Sequence, residues 1–271
     1  MPPAASARTF KARLSLLALP VLAAAWCGGC GVRRPEIRLR DIEVAAMDFE
    51  KVQLVLDFAV TNPNSYQVAL YWLEYRLEAS GASFATGKMS RPVAALAAKQ
   101  TTVVKAPLTL AFADVPAPAP DSRPGTFDCR IAARATWDFV ALKLHSDLVR
   151  AARMPVISKP TWRLRRMALA DGGAELVIEV TNPNRFAIPV RHVGGLVKVK
   201  ARTVGTVAAD VHAAASGGKT TTLTVPVTLV EGGRAALQAV ADAAEIRFEG
   251  RPTLAAPVGL HDLLAEGLKQ P

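Results

Sequence analysis

The chain is poor in the residues from which catalytic and metal sites are usually built. Its 271 residues include three cysteines and four histidines, and aromatic residues make up 6%. The histidines do not lie at metal-ligand spacing from one another or from a cysteine. The sequence shows neither a phosphate-binding loop nor a nucleophile elbow. It therefore predicts no metal, no cofactor and no enzymatic activity.

The cysteines are also too few for a disulfide framework. Cys27 and Cys30 lie near the N-terminus, so Cys129 is the one cysteine in the rest of the chain. A single cysteine cannot form an intrachain disulfide. Cys129 falls on the inward face of a predicted strand, and we expect it to be a small core residue rather than a nucleophile.

Residues 1–29 have the features of a signal peptide. A basic region, residues 8–13, precedes the apolar stretch Leu14–Trp26, which at about 13 residues is too short to span a bilayer as a helix. The Gly29–Cys30 junction resembles the cleavage site of a bacterial lipoprotein, in which the cysteine thiol receives a diacylglycerol. We predict lipidation of Cys30. Acylation of Cys27, ordinary secretion and a retained anchor helix are the alternatives.

The most informative positive feature is an internal duplication. The pentapeptide Val-Thr-Asn-Pro-Asn occurs at Val60–Asn64 and again, 120 residues later, at Val180–Asn184. Apolar positions around it repeat at the same offset, and Lys99–Thr102 aligns with Lys219–Thr222, after which one residue is lost. The period is too long for a solenoid, and each copy has the size of a folding unit. The chain therefore contains two tandem copies of one domain.

Each copy alternates apolar and polar residues with the period of a half-buried β-strand. Several such strands within about 110 residues favour antiparallel sheets packed face to face. We predict an all-β chain of two tandem immunoglobulin-like or fibronectin type III-like β-sandwiches that follow a cleaved signal peptide. The later strands are expected at Thr101–Leu110, Phe127–Arg134, Thr136–His145, Thr220–Leu229 and Glu245–Thr253, with most of the helical pattern at Gly233–Ala244.

The copies are joined by a short segment that contains two prolines. The expected organisation is a signal peptide at 1–29, a basic tether at 30–36, the first sandwich at 37–153, a linker at 154–160 and the second sandwich at 161–271. A further proline-rich stretch, Val115–Gly125, is predicted to be an inserted loop of the first sandwich.

The Asn-Pro-Asn motif is predicted to end one strand and to begin a fixed turn. The residue before a proline favours an extended backbone, and the proline itself fixes φ and lacks an N–H. The second asparagine can bond to the local backbone. We interpret the motif as structural, and direct contact with a ligand is the alternative. Its residues are Asn62, Pro63, Asn64, Asn182, Pro183 and Asn184.

The motif and its surroundings resemble the WHy (water stress and hypersensitive response) domain of folded late embryogenesis abundant proteins. An aromatic residue, Tyr66 or Phe186, follows each copy of the motif, and the resemblance covers Ile37–Ser146 and Thr161–Gly259. The resemblance implies an immunoglobulin-like or fibronectin-like sandwich without catalytic activity. It also implies a role in protecting proteins or membranes under desiccation or related stress.

The chain is basic, with a formal net charge of +10. Basic residues next to an acyl anchor can bind an anionic membrane surface, and a solvated linker is the alternative because salt screens such contacts. Basic and aromatic residues do not alternate as nucleic-acid binding would require. The residues concerned are Arg33, Arg34, Arg38 and Arg40 after the lipid site, and Arg150, Arg153, Lys159, Arg163, Arg165 and Arg166 at the junction.

These features lead us to expect a non-catalytic, lipid-anchored protein of the cell envelope. In a Gram-negative source it would lie in the outer membrane and face the periplasm. Its partners would be the membrane, through the lipid, and client proteins that it protects. The alternative is an envelope scaffold or adhesion module that binds one specific protein, because a fold alone does not decide between these functions.

Overall fold

The structure, a computed structural model, describes residues 32–116, 125–139, 142–171, 173–240 and 245–269. The predicted signal peptide, Cys27 and Cys30 lie outside the described residues, as does most of the proline-rich stretch after Val115. The chain divides into two units, Met1–Arg33 and Arg34–Pro271. The fold described below belongs to the second unit.

The described residues contain thirteen β-strands and two α-helices. The strands of the first repeat are β1 (Glu36–Met47), β2 (Lys51–Thr61), β3 (Val68–Ala79), β4 (Ala82–Leu96), β5 (Thr101–Ala111), β6 (Thr126–Phe139) and β7 (Leu142–Pro155). The elements of the second repeat are β8 (Thr161–Ala170), β9 (Gly173–Asn182), β10 (Ile188–Val199), β11 (Arg202–Ala215), β12 (Lys219–Leu229), α1 (Gly233–Gln238), β13 (Ile246–Leu254) and α2 (Leu260–Lys269).

Each repeat is a sandwich of antiparallel sheets. The first repeat has a three-stranded sheet of order β1-β2-β5 and a four-stranded sheet of order β4-β3-β6-β7. In the second repeat, the strands β8-β9-β12 join β13-β10-β11 through a short pairing between β11 and β12, which gives one six-stranded sheet. The predicted all-β fold of two tandem sandwiches is confirmed.

Period-two alternation places the core where the sequence predicts it. On β2 the inward residues Leu54, Leu56, Phe58 and Val60 are at most 1% exposed. The Phe58 ring lies 6.0 Å from the ring of Tyr75 on β3, which joins the two sheets of the first sandwich. Burying such side chains stabilises the fold by about 1.5–3 kcal/mol each.

Two details of the sequence analysis are wrong. β6 does not end near residue 134, because Ala135 and Trp137 continue its buried face and are fully buried. The lost residue also lies earlier than expected. Before the bulge, the pair Trp72–Ser90 corresponds to the pair His192–Asp210, with an offset of 120 for both residues. After the bulge, Ala94 corresponds to Ala213, with an offset of 119. The loss therefore falls in the bulge of β4.

The corrected register changes which residues correspond after the bulge. Thr101 pairs with Thr61 as Thr220 pairs with Thr181. The counterpart of Lys99 is consequently Gly218 rather than Lys219. Both have a positive φ, 57° at Lys99 and 66° at Gly218. A left-handed backbone is natural for glycine and uncommon for lysine.

The two repeats end differently. In the first, β6 is followed by β7, and the two strands pair along their whole length. In the second, β13 is followed by α2, a helix that the sequence analysis did not predict. α2 packs against β7 and β1 of the first sandwich and buries Leu260, Leu264 and Leu268. The expected domain boundaries remain a prediction, although α2, assigned to the second domain, contacts the first.

Candidate functional site at the Asn-Pro-Asn turns

Asn62 connects two neighbouring loops of its sandwich from a fully buried position. Its side-chain Nδ2 donates hydrogen bonds to the carbonyl oxygens of Tyr66 at 2.8 Å, Leu96 at 3.2 Å and Ala97 at 3.1 Å. Its Oδ1 accepts from the backbone N–H and the side-chain Nδ2 of Asn64, both at 3.0 Å. One amide thus closes the motif loop and ties it to the turn between β4 and β5.

Asn182 repeats this arrangement in the second sandwich. It is also fully buried, and its Nδ2 donates to Phe186 O at 2.7 Å and to Ala215 O at 2.8 Å. Its Oδ1 accepts from the backbone N–H and the Nδ2 of Asn184, both at 3.0 Å. The duplicated sequence therefore builds the same buried hydrogen-bond network twice.

Asn184 has an additional partner in the linker. The backbone N–H of Ser158 donates to Asn184 Oδ1 at 2.7 Å, and Asn184 Nδ2 donates to Ser158 O at 2.9 Å. These two bonds reproduce the pattern of a backbone pairing. The segment that leaves the first sandwich is thereby fixed to the motif of the second.

The geometry of both motifs is that of a buried turn. Asn64 and Asn184 are 4% and 3% exposed, so neither side chain is presented to solvent. Their bonds satisfy polar groups that would otherwise be costly to bury. The structural interpretation of the motif remains a prediction that substitution can test. Sequence reasoning missed the leading role of the first asparagine, because pre-proline preferences describe its backbone and not its side chain.

The basic residues near the predicted lipid site lie on an exposed face. Arg38 and Arg40 are exposed on alternate positions of β1, and Arg38 Nη2 is 2.9 Å from Glu36 Oε2. Arg34 is exposed just before β1, and Arg33 belongs to the N-terminal unit. Contact of these four arginines with a membrane remains a prediction.

Most of the basic residues at the junction have partners within the chain. Arg150 donates to Leu39 O at 3.1 Å and to Leu268 O, near the C-terminal end of α2. Arg153 pairs with Asp128 and Lys159 with Glu50, at 2.9 and 3.1 Å. Arg163 and Arg165 both pair with Glu179, whose side chain is 9% exposed. Five of the six basic residues of this cluster therefore have polar partners within the chain.

Cys129 is buried on β6. Burial, with a smaller contribution from the charge of Asp128, raises the pKa of its thiol to about 12. The thiolate, which is the reactive form, is scarce at neutral pH. Among the described residues, no group of three or more histidine, cysteine, aspartate or glutamate side chains could hold a metal ion. No helix in the described part of the chain is long and apolar enough to cross a membrane.

Comparison with known families identifies both repeats. The model of the family described as late embryogenesis abundant protein matches residues 57–148 and 177–263, about two thirds of the chain. The chain belongs to this family. Each late embryogenesis abundant region contains one Asn-Pro-Asn turn and most of the strands of one sandwich. A search of curated proteins found no match.

Two solved structures show distant likeness to this late embryogenesis abundant protein. A protein from Archaeoglobus fulgidus is 14% identical, with a TM-score of 0.35, and the match covers 44% of this chain and 98% of that one. The YadV chaperone is 11% identical, with a TM-score of 0.21, and the match covers 80% of this chain and 100% of that one. At these TM-scores the likeness does not bear on function.

Proposed function

We propose that this chain is a WHy-type late embryogenesis abundant protein that protects other proteins or membranes during desiccation or related stress. The observation that carries the proposal is the double family match, which coincides with the two sandwiches and their Asn-Pro-Asn turns. Protection of this kind needs a stable folded surface and no catalytic constellation. The buried thiol of Cys129 and the buried asparagines give no support for catalysis.

The proposal includes attachment to the cell envelope. The sequence supports it through the signal-peptide pattern and the Gly29–Cys30 junction. A diacylglycerol on Cys30 would hold the sandwiches close to a membrane. The exposed side chains of Arg34, Arg38 and Arg40 would then add attraction to anionic lipids, each worth about 1 kcal/mol near the surface. A diacylglycerol carries two acyl chains, and basic residues beside it would strengthen the attachment.

The test is rescue of unrelated enzymes from drying. Two enzymes of different fold are dried and rehydrated with an equal mass of the purified chain, with an equal mass of serum albumin, or alone. The proposal predicts that the chain preserves more activity than albumin does for both enzymes. The scaffold hypothesis predicts capture of one envelope protein from solubilised membranes and no rescue of either enzyme. That result would contradict the proposed function.

A further inference from the structure

The two sandwiches differ in how they close one edge of the core. On β1 the inward side chains of Ile37, Leu39 and Ile42 are 7%, 3% and 0% exposed. Strand pairing gives their counterparts on β8, since β1 pairs with β2 as β8 pairs with β9, with a bulge at the same place. These counterparts, Trp162, Leu164 and Met167, are only half-buried.

The last strand of the second sandwich, β13, is also less buried than its counterpart in the first sandwich. β13 pairs with β10 as β6 pairs with β3, so β13 is the counterpart of β6. Phe248 then corresponds to Ile131, and Ile246 corresponds to Cys129. Ile131 is fully buried and Cys129 is 6% exposed, whereas Phe248 and Ile246 are half-buried. We call the five half-buried residues of the second sandwich the open seam. They are Trp162, Leu164, Met167, Ile246 and Phe248.

The open seam spans two strands, β8 and β13, that contact each other. The rings of Trp162 and Phe248 meet edge to face with their centroids 5.9 Å apart, so β8 and β13 are neighbours across the sandwich. In the first sandwich, β7 pairs with β6 and also contacts β1. Within the described residues, β13 pairs only with β10. The seam is therefore open where the first sandwich has its seventh strand.

Charges beside the seam indicate what an added strand would carry. On the first sandwich, Arg134 of β6 pairs with Asp147 directly opposite on β7, at 2.7 Å. The counterpart of Arg134 on β13 is Arg251, which is exposed. No carboxylate among the described residues lies within ion-pairing distance of Arg251. An acidic side chain on an added strand could therefore pair with Arg251 as Asp147 pairs with Arg134.

The length of the available edge is also limited. Pro252 lacks an N–H and cannot donate to an added strand. Residues 251–254 face the turn between β1 and β2 of the first sandwich across a gap of about 220 Å³. The usable edge is thus Ile246–Arg251, long enough for about six residues of a partner. Exposed strand edges bind extended peptides through backbone hydrogen bonds, while alternate side chains give specificity.

We propose that the open seam binds an extended segment of a partner protein, which adds to β13 as an antiparallel strand, places apolar side chains over Trp162 and Phe248 and presents an acidic side chain to Arg251. This site does not depend on the protective function proposed above. It would give the second sandwich a specific peptide-binding edge that the first fills with its own β7.

The test uses a peptide built on the chain's own β7. A fluorescein-labelled peptide with the sequence of Asp147–Ala152, which matches the six-residue edge and carries Arg150→Leu to keep its inward face apolar, is titrated with the purified full chain. The register of β6 and β7 would place its Asp147 opposite Arg251. Saturable binding is expected. Arg251→Glu in the chain, or Asp147→Lys in the peptide, should each weaken binding at least tenfold, and combining the two should restore it.

A matched control and a second readout make the test decisive. Lys219→Glu changes the charge by the same amount on an exposed position of β12 and should leave binding unchanged. Peptide binding should slow amide hydrogen exchange in β13. If Arg251→Glu lowers the melting temperature, Arg251→Gln replaces it. The proposal is overturned by the absence of saturable binding at millimolar peptide, or by equal weakening in the Arg251 and Lys219 variants. Concentration-dependent dimerisation that protects β13 without peptide would also overturn it, by assigning the seam to a second copy of the chain.

Discussion

Asn184 holds Ser158 through two hydrogen bonds, one in each direction, at 2.7 and 2.9 Å. Ser158 lies in the segment between the sandwiches, and Asn184 is the last residue of the second Asn-Pro-Asn motif. The motif thus connects the end of β9 to two other segments. Asn182 binds the end of β11, and Asn184 binds the linker.

Asn182→Asp should destabilise the fold strongly at neutral pH. Asn182 Nδ2 donates to two carbonyl oxygens at a fully buried position, and a carboxylate there would face both of them as a second acceptor. We expect a loss of more than about 3 kcal/mol in the free energy of unfolding. Burial would raise the carboxyl pKa of the folded variant above its unfolded value, so its stability should fall as pH rises.

Urea denaturation of this variant at pH 5 and pH 8 provides the measurement. Gln53→Glu makes the same amide-to-carboxyl change at an exposed position of β2 and should be close to the unchanged chain at both pH values. Equal stability of Asn182→Asp and Gln53→Glu would show that the amide of Asn182 is not essential to the turn.

Gly267→Ala should weaken the contact of α2 with the first sandwich. A Cβ at Gly267 would lie 1.7 Å from Arg153 O, so the helix would have to move. Overpacking costs about 1–3 kcal/mol, and the better helix propensity of alanine offsets up to about 1 kcal/mol of this. The melting temperature of the full chain should fall by about 2–8 °C. Glu266→Ala, on the exposed side of α2, is the control, and a similar fall for both would argue against the close contact.

Cys129 should react slowly with thiol reagents in the folded protein. Burial raises its pKa to about 12, which leaves little thiolate at pH 8. In a Cys27→Ser, Cys30→Ser background, colour development with a disulfide reagent should be at least about 100-fold slower than in guanidinium. A native rate equal to the unfolded rate would mean that the thiol is accessible.

Cys30 is expected to carry the lipid. Metabolic labelling with a palmitate analogue should mark the unchanged chain and should not mark Cys30→Ser. Cys27→Ser serves as the control and should still be labelled. Label that is lost in Cys27→Ser instead would move the site to Cys27, and equal labelling of all three chains would contradict the assignment to Cys30.

The sequence predicts much of the fold because the duplication repeats the alternating apolar pattern of many strands in both domains. Alternation over Leu54–Val60 and its copy is sufficient to place the core, since burial is strict on those faces. It fails at Ala135, where small residues weaken the pattern, and at β4, where a bulge hides the lost residue. α2 was missed although Leu260, Leu264 and Leu268 recur at helical spacing, and only its packing against the first sandwich is absent from the local pattern. The side-chain partners of Asn182 and Asn184 are likewise tertiary contacts that no local pattern contains.

The central claim, that the motifs serve the fold and that the fold as a whole protects, is tested most directly by Asn184→Ala. Removing the Asn184 amide breaks its bonds to Ser158 and Asn182 and leaves buried polar groups without partners. We expect a loss of about 1–3 kcal/mol in the free energy of unfolding. The melting temperature of the full chain should therefore fall by roughly 2–10 °C. Ser65→Ala, at an exposed position in the first motif loop, should not change it. Rescue of dried enzymes, measured well below melting, should match the unchanged chain. Unchanged stability together with lost rescue would contradict the account and make the motif a contact site.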